Sequence, residues 1–106
     1  MKDRYQPKQR RIEFSAINFL AQRHADDLVR RWLPDGRMDG REYVARNPKR
    51  DDQSLGSFRI NLTTGKWADF ATGDKGGDLI SLYAYLNDMS QFEAAKALNE
   101  TLGGRK

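Results

Sequence analysis

The spacing of apolar residues predicts a long helix near the start of the chain. Between Ser15, its expected N-cap, and Trp32, apolar side chains recur at steps of three and four residues, which is the period of one helix face. His24 falls on the same stripe and is expected to be half-buried. Pro34 and the Asp35-Gly36 pair then end the helix, because neither a proline nor a glycine turn continues a helical backbone.

Two more helices are predicted at the end of the chain. Asp78 is placed to cap a helix that runs to about Leu86. Ser90 and Glu93 have the spacing of a capping box, in which each side chain binds the other residue's backbone amide. They open a last helix that ends at Gly103-Gly104.

Between these helices the pattern changes to that of strands. Residues 57–62 alternate strictly between apolar and polar side chains, and residues 41–45 and 67–70 are short runs with strand-forming side chains. Residues 63–66 have the composition of a hairpin turn. The sequence therefore predicts an α+β fold: a small antiparallel three-stranded sheet with one helix before it and two after it.

Length and composition fit one small domain. The chain has 106 residues, of which 32% are charged and 38% hydrophobic, a balance typical of a globular domain with a polar surface. We expect a single domain over residues 12–106. Residues 1–11 are basic and lack periodicity, which predicts a disordered tail. The charge of this tail has two interpretations, a functional contact or a solvated segment.

Missing residue types exclude several kinds of site. The chain has no cysteine and one histidine, which excludes disulfides and thiolate zinc sites, and we expect no metal or cofactor. No apolar run is long enough to span a bilayer and the first residues do not resemble a signal peptide, which predicts a cytoplasmic protein without a membrane partner. The net charge of +4 favours polyanionic partners.

One stretch combines an aromatic strand end, a glycine-rich turn and the start of an apolar helix. It runs from Trp67 to Asp78 and reads Trp-Ala-Asp-Phe-Ala-Thr-Gly-Asp-Lys-Gly-Gly-Asp. This order resembles the second half of the zinc ribbon at the N-terminus of bacterial and phage DNA primases, where the strand ends in Cys-x-x-Cys-Gly and a helix follows Gly-Gly-Asp or Gly-Gly-Asn. Asp69 and Thr72 stand at the two cysteine positions.

The resemblance covers roughly Leu28 to Leu102. In the family the first metal half-site reads Cys-Pro-x-His, and this chain has Asn-Pro-Lys-Arg, so that Asn47 and Arg50 stand where ligands would. The run Ser-Gln-Phe-Glu-Ala at 90–94 is similar to the segment that starts the family's last helix. The resemblance implies a zinc-ribbon-like domain of a primase or primase-helicase, of the phage or mobile-element kind, in a form that lacks the zinc ligands.

Without zinc, other contacts must join the two knuckles, the short turns that carry the ligand positions. The resemblance places an opposite-charge pair, Arg50 and Asp69, at two of these positions. We expect the two side chains to pair, while Asn47 and Thr72 hydrogen-bond the knuckle backbone. The alternative is that the four side chains make no mutual contact.

The family's ribbon sheet is implicated in recognition of the template strand, and the outward face of the predicted hairpin suits that role. Cations follow the backbone of a single strand while aromatic rings stack on its bases. Trp67 has two interpretations, a base platform at the edge of this face or a core residue, and Phe70 lies at the same edge. The candidate nucleic-acid-binding residues are Arg41, Arg46, Arg59, Asn61, Lys66, Trp67 and Lys75.

Enzymatic chemistry has little support in the sequence. The turn at residues 73–77 is not followed by the Lys-Ser/Thr pair of a nucleotide-binding P-loop, which leaves a structural turn or a contact to a DNA phosphate. In this family primer synthesis belongs to a separate catalytic domain. We therefore expect a non-catalytic DNA-binding accessory module that binds single-stranded template, takes no small-molecule substrate, and works with a catalytic primase or helicase chain.

The alternative function is a protein-interaction adaptor. Such a protein would have kept the ribbon scaffold and lost binding of both zinc and DNA. It should then expose an apolar patch for its partner, and Tyr83, Tyr85 and Phe92 are the candidates.

Overall fold

A computed structural model describes residues 13–50 and 55–103. The predicted tail over residues 1–11 lies outside these ranges. The described part of the chain is α+β, as predicted, and its strands lie between two pairs of helices in the order of the chain. The elements are α1 (Phe14–Arg23), α2 (Ala25–Trp32), β1 (Arg37–Asp39), β2 (Glu42–Ala45), β3 (Phe58–Asn61), β4 (Trp67–Asp69), β5 (Lys75–Gly76), α3 (Leu79–Asn87) and α4 (Gln91–Thr101).

The sheet is an antiparallel meander of five strands, in the order β1-β2-β3-β4-β5. The prediction of three strands was wrong in number, because it found β2, β3 and β4 and missed both edges. β1 reads Arg-Met-Asp with all three residues exposed, and β5 reads Lys-Gly. Neither segment has the alternation or the β-branched and aromatic residues that mark a strand in a sequence.

The predicted first helix is in fact two helices. His24 has φ −116° and ψ 23°, which separates α1 from α2, and its side chain is exposed rather than half-buried. No proline or glycine marks the break, and the apolar spacing continues through it, which is why the sequence predicted one helix. The break allows α1 to pack on α3 and α4, while α2 sends Leu28 and Val29 into the core beneath the sheet. α1 also begins two residues early, at Phe14, so Glu13 and not Ser15 stands at its N-cap.

The main core lies between one face of the sheet and the helices. Alternate residues of the two central strands are buried: Phe58 and Ile60 on β3, and Trp67 and Asp69 on β4. Tyr43 of β2 is paired with Ile60 in the register, and its hydroxyl donates to the carbonyl of residue 33 at 2.6 Å. Each fully buried large apolar side chain contributes about 1.5–3 kcal/mol, so this face of the sheet carries much of the stability.

Both predicted caps of the C-terminal helices are present. Asp78 Oδ1 accepts a hydrogen bond from Ser81 N at 2.8 Å. Ser90 Oγ accepts from Glu93 N at 3.0 Å, and Glu93 Oε1 accepts from Ser90 N at 3.3 Å. These caps fix where α3 and α4 begin, because they bind amides that have no partner within the helix. Among the described residues, no helix is long and apolar enough to cross a membrane.

Candidate nucleic-acid interface

The candidate interface is the face of the sheet that points away from the helices, which we call the outer face. Side chains alternate along a strand and paired residues share a face, so the strand register identifies its members. Lys66 and Phe70 flank β4 and continue its alternation. The strands contribute Arg37, Asp39, Glu42, Val44, Arg59, Asn61, Ala68 and Lys75.

A shallow groove of about 210 Å³ crosses this face. It brings together four of the predicted binding residues, although they come from two different strands and their connecting turn. Lys75 lies beside it on β5, where it is paired with Ala68 of β4. The lining residues are Glu42, Arg59, Asn61, Lys66, Trp67, Ala68 and Phe70.

Arg59 lies in the middle of the outer face and is held there by two carboxylates. Its Nη1 donates to Glu42 Oε1 at 3.0 Å and to Asp39 Oδ2 at 3.2 Å, and its Nε donates to the carbonyl of Gly56 at 3.0 Å. The hydrogen bond to Glu42, followed by that to Asp39, raises the pKa of the Arg59 guanidinium. Arg59 is therefore a fixed, partly neutralised cation rather than a mobile one.

Other cations on or beside the outer face have no such partner. Arg37, Arg41, Lys66 and Lys75 are exposed, and within residues 13–50 and 55–103 none of them lies at ion-pair distance from a carboxylate. Unpaired cations attract phosphates without having to give up another contact. Sequence reasoning missed Arg37 and Asp39, since it did not find β1. It placed Glu42 on a predicted strand but did not recognise this residue as a partner of Arg59.

Two predicted binding residues have other surroundings. Arg46 is exposed but lines a separate pocket of about 150 Å³ with Trp32 and Pro34, which shares no residue with the groove. Asn61 Oδ1 accepts from the backbone amides of Thr63 at 2.8 Å and Thr64 at 3.1 Å. Its side chain therefore shapes the β3–β4 turn, as asparagine commonly does.

The structure places Trp67 in the core and Phe70 in solvent. Trp67 is 5% exposed, its ring centroid lies 4.7 Å from that of Tyr85, and its Nε1 donates to Ser81 Oγ at 2.9 Å. Trp67 also lines the groove, although nearly all of its surface is buried. Phe70 is 72% exposed, so it is the aromatic ring on this face that a base can reach.

The four positions that resemble metal-ligand positions lie close together, with Asp69 on the face of β4 opposite to the groove. Asp69 is fully buried, and its Oδ2 accepts from both Arg50 Nε and Asn47 Nδ2 at 2.9 Å. Its Oδ1 accepts from the Ala71 amide, also at 2.9 Å. The structure therefore contains the expected pair between Arg50 and Asp69 and ties each knuckle to the other.

Asn47 extends this arrangement to α3. It is 2% exposed, and its Nδ2 also donates to Tyr85 Oη at 2.8 Å, while its Oδ1 accepts from the Lys49 amide at 2.9 Å. Tyr85 in turn donates to Asp74 Oδ2 at 2.7 Å. We call Asn47, Arg50, Asp69, Thr72 and Tyr85 the polar cluster.

The side chain of Thr72 contacts only backbone groups of the knuckle. Its Oγ1 accepts from the Asp74 amide at 3.1 Å and lies 3.5 Å from the carbonyl of Asp69. This is the local role that the sequence predicted for it, a hydrogen bond to the knuckle backbone. Tyr85, by contrast, was predicted for an exposed apolar patch and is instead a member of the cluster. Tyr83 also packs inward, 5.0 Å from the ring of Trp32.

Burial and hydrogen bonding act in opposite directions on the ionisation of Asp69. Burial alone would raise its pKa, but the hydrogen bonds from Asn47 and from the Ala71 amide, together with the Arg50 charge, outweigh it and lower the pKa. Burial raises the pKa of Tyr85. At neutral pH the cluster thus holds a carboxylate anion surrounded by donors, which is what a charge-assisted network needs.

Two other kinds of site lack support in the described part of the chain. Residues 13–50 and 55–103 contain no group of three or more His, Cys, Asp or Glu side chains that could hold a metal ion. The second is a DNA phosphate at the start of α3. Asp78 already accepts from the Ser81 amide there and also accepts from Asn18 Nδ2 at 3.0 Å. The turn before it therefore has a structural interpretation, in which Gly76 packs against Trp67.

The fold is similar to that of a solved primase. The neighbour is the crystal structure of the Aquifex aeolicus primase, comprising zinc-binding and RNA polymerase domains, which aligns with a TM-score of 0.68 and 26% sequence identity. The alignment covers 82% of this chain but 21% of that chain, so this chain corresponds to a small part of that protein. No protein-family model and no curated protein matches. The fold of this chain is primase-like.

Proposed function

We propose that this chain is a DNA-binding module that holds single-stranded template on its outer face. It does not make primers by itself and acts beside a catalytic primase or helicase chain. The phage or mobile-element setting stays a prediction from the sequence.

The observation that carries this proposal is the combination on one face of unpaired cations and a solvent-exposed aromatic ring. Lys66 and Phe70 line the same groove, and Lys75 is the cross-strand partner of Ala68, which lies between these two residues along the chain. Proteins hold single strands without reading every base by placing cations against successive phosphates and stacking an aromatic ring on a base. The primase-like fold supports the same function, because the solved primase that it resembles comprises zinc-binding and RNA polymerase domains.

Fluorescence anisotropy of labelled single-stranded DNA, at low and at physiological salt and beside a duplex control, tests the proposal. We expect saturable binding that prefers the single strand and weakens as salt rises. Lys66→Ala should reduce the slope of log K against log salt by about 0.7, the value for one lost phosphate contact on a single strand. Absence of binding at low salt would refute the proposal.

Phe70→Ala tests the stacking contribution separately. Stacking of one base on an aromatic side chain is worth about 1–3 kcal/mol, so binding should weaken about fivefold or more while thermal stability stays unchanged. Phe19→Ala is the matched control, because Phe19 is 68% exposed but lies on α1. Equal effects of the two substitutions would show that Phe70 has no specific role.

A second candidate, the protein-interaction adaptor, is favoured by exposed phenylalanines on the helices. Phe14 and Phe19 of α1 are 41% and 68% exposed, and Phe92 of the neighbouring α4 is 48% exposed. Of the three residues first predicted for such a patch, only Phe92 is available. If DNA does not bind, these helices are the surface to test for a protein partner.

A further inference from the structure

The outer face carries two carboxylates that binding to phosphates alone does not explain. Glu42 on β2 and Asp39 on the edge strand β1 both lie beside Arg59. A carboxylate repels phosphate and neutralises the arginine that would otherwise attract it. The same carboxylate is, however, a good acceptor for the N–H groups on a base edge.

We propose that the groove is a recognition site for one unstacked base and that it prefers guanine. This inference rests on the proposed function, since the base must belong to a bound single strand. In this arrangement Lys66 and Lys75 contact phosphates, Phe70 stacks on the base, and Glu42 and Arg59 read its edge.

The shape of the groove suits a flat ring. Ala68 lies between Arg59 and Lys75 in the register and is the smallest side chain on this part of the face, so it leaves room above the sheet. Phe70 lines the same groove. The side chains of Glu42 and Arg59 are 38% and 29% exposed, which keeps their polar atoms accessible while the ion pair holds them in place. A site that is already ordered loses less entropy on binding.

The chemistry of the pair selects among the bases. Guanine carries two adjacent N–H donor groups, N1–H and the 2-amino group, which match the two oxygens of one carboxylate. Next to them it carries the acceptor O6, and then N7, which an arginine contacts. Single-stranded bases leave these edges free to bind protein. Thymine has a single N–H donor, and cytosine and adenine each offer only an amino group beside ring acceptors, so they pair less completely with Glu42 and Arg59.

The test measures binding of a dT 12-mer whose central base is replaced in turn by dG, dA, dC or deoxyinosine. Inosine is guanine without the 2-amino group. We expect the dG oligonucleotide to bind roughly tenfold more tightly than all-dT, within the range of one good base contact. Inosine should lose most of that preference. Glu42→Gln should lose it too, while binding of all-dT should become tighter, because Arg59 loses a neutralising carboxylate.

A double-mutant cycle between Glu42 and the 2-amino group makes the assignment specific. On the inosine oligonucleotide, Glu42→Gln should cause little further loss, because the contact is already absent. Glu100→Gln is the control, since Glu100 is an exposed acid on α4. If Glu42→Gln does not fold, Ala68→Leu replaces it; the larger side chain fills the groove and should abolish the dG preference.

The outcomes separate this inference from the proposed function. Binding of all oligonucleotides with equal affinity would overturn the guanine site and leave DNA binding intact. A preference for dA or dC would also overturn the guanine site. So would a dG preference that survives Glu42→Gln, or that survives Ala68→Leu where that variant is used. Failure of every oligonucleotide to bind would overturn both proposals.

Discussion

Removal of the Asp69 carboxylate is the most direct test of the polar cluster. Asp69 is fully buried and accepts three hydrogen bonds, from Asn47, Arg50 and Ala71. Asp69→Ala removes all three acceptor contacts together with the charge. If the cluster holds the two knuckles together, this one substitution should lower the free energy of unfolding by a large fraction of the total.

The structure sets the size of this effect. Breaking a buried ion pair by removing one partner costs about 3–5 kcal/mol. Here the donors that lose Asp69 can reach water or keep another partner. The Arg50 side chain is 22% exposed, Ala71 is exposed, and Asn47 keeps its bond to Tyr85. We therefore expect a loss of about 2–4 kcal/mol. For a domain of this size, whose total stability is about 5–15 kcal/mol, the melting temperature should fall by about 10–20 °C.

The effect should also depend on pH, with a definite sign. The pKa of Asp69 is lowered in the folded protein, so its carboxylate stabilises the fold above the unfolded pKa of about 4 and loses this contribution as pH falls through the lower folded value. The difference in stability between wild type and Asp69→Ala should therefore be complete at pH 7. It should begin to close below about pH 4.

Urea unfolding of both proteins at a series of pH values measures this difference, with Asp26→Ala as control. Asp26 pairs with Arg30 at 2.7 Å, but its side chain is 67% exposed, so its loss should cost less than about 1 kcal/mol. An Asp69→Ala effect no larger than the control would refute the idea that the cluster joins the knuckles. A large effect that stays constant to pH 2 would refute the role of the charge.

Two further pairs of substitutions test local packing and capping by thermal unfolding. Gly76→Ala should destabilise the fold by about 1–3 kcal/mol, because a Cβ there would lie 2.6 Å from Trp67 Cε2. Gly77→Ala is the control, since a Cβ at Gly77 meets no atom within 4 Å and the substitution should be nearly neutral. Equal effects of the two substitutions would contradict this packing. Ser90→Ala should cost about 1 kcal/mol of stability through loss of the N-cap of α4. Ser15→Ala, at a position inside α1, should cost nothing. A loss of stability in Ser15→Ala would contradict the observed start of α1.

The sequence predicted the parts of the fold whose side chains alternate or cap. Phe58 and Ile60 marked β3, and Asp78 and Ser90 marked the starts of α3 and α4, because burial and orphan amides impose these residue types locally. β1 and β5 depend instead on pairing with a neighbouring strand, and nothing in their own residues requires it. The break at His24 likewise results from how α1 and α2 pack on different partners, which one stretch of sequence does not record.

The candidate site could be predicted in part for the same reason. Arg59 was placed on the correct face by the alternation of residues 57–62 alone, and Arg50 and Asp69 were paired because a family pattern aligned them. Of the two carboxylate partners of Arg59, Asp39 was missed because it belongs to the unpredicted β1, whereas Glu42 lay on a predicted strand whose register with β3 the sequence does not record. Trp67 and Phe70 could not be told apart by sequence, since both are aromatic residues at the ends of one strand and only tertiary packing buries the first.

The polar cluster and the outer face are connected through β4 and the turn that follows it. Asp69 faces the cluster and Phe70, the next residue, faces the groove, as successive residues of an extended chain must. At the far end of the turn, Asp74 accepts from Tyr85 of the cluster, and Lys75 follows it directly on the outer face. Anchoring residues 69 and 74 therefore fixes both ends of the turn that begins with Phe70 and leads into Lys75. The network of Asn47, Arg50 and Asp69 can in this way position the proposed binding surface, which none of its own side chains enters.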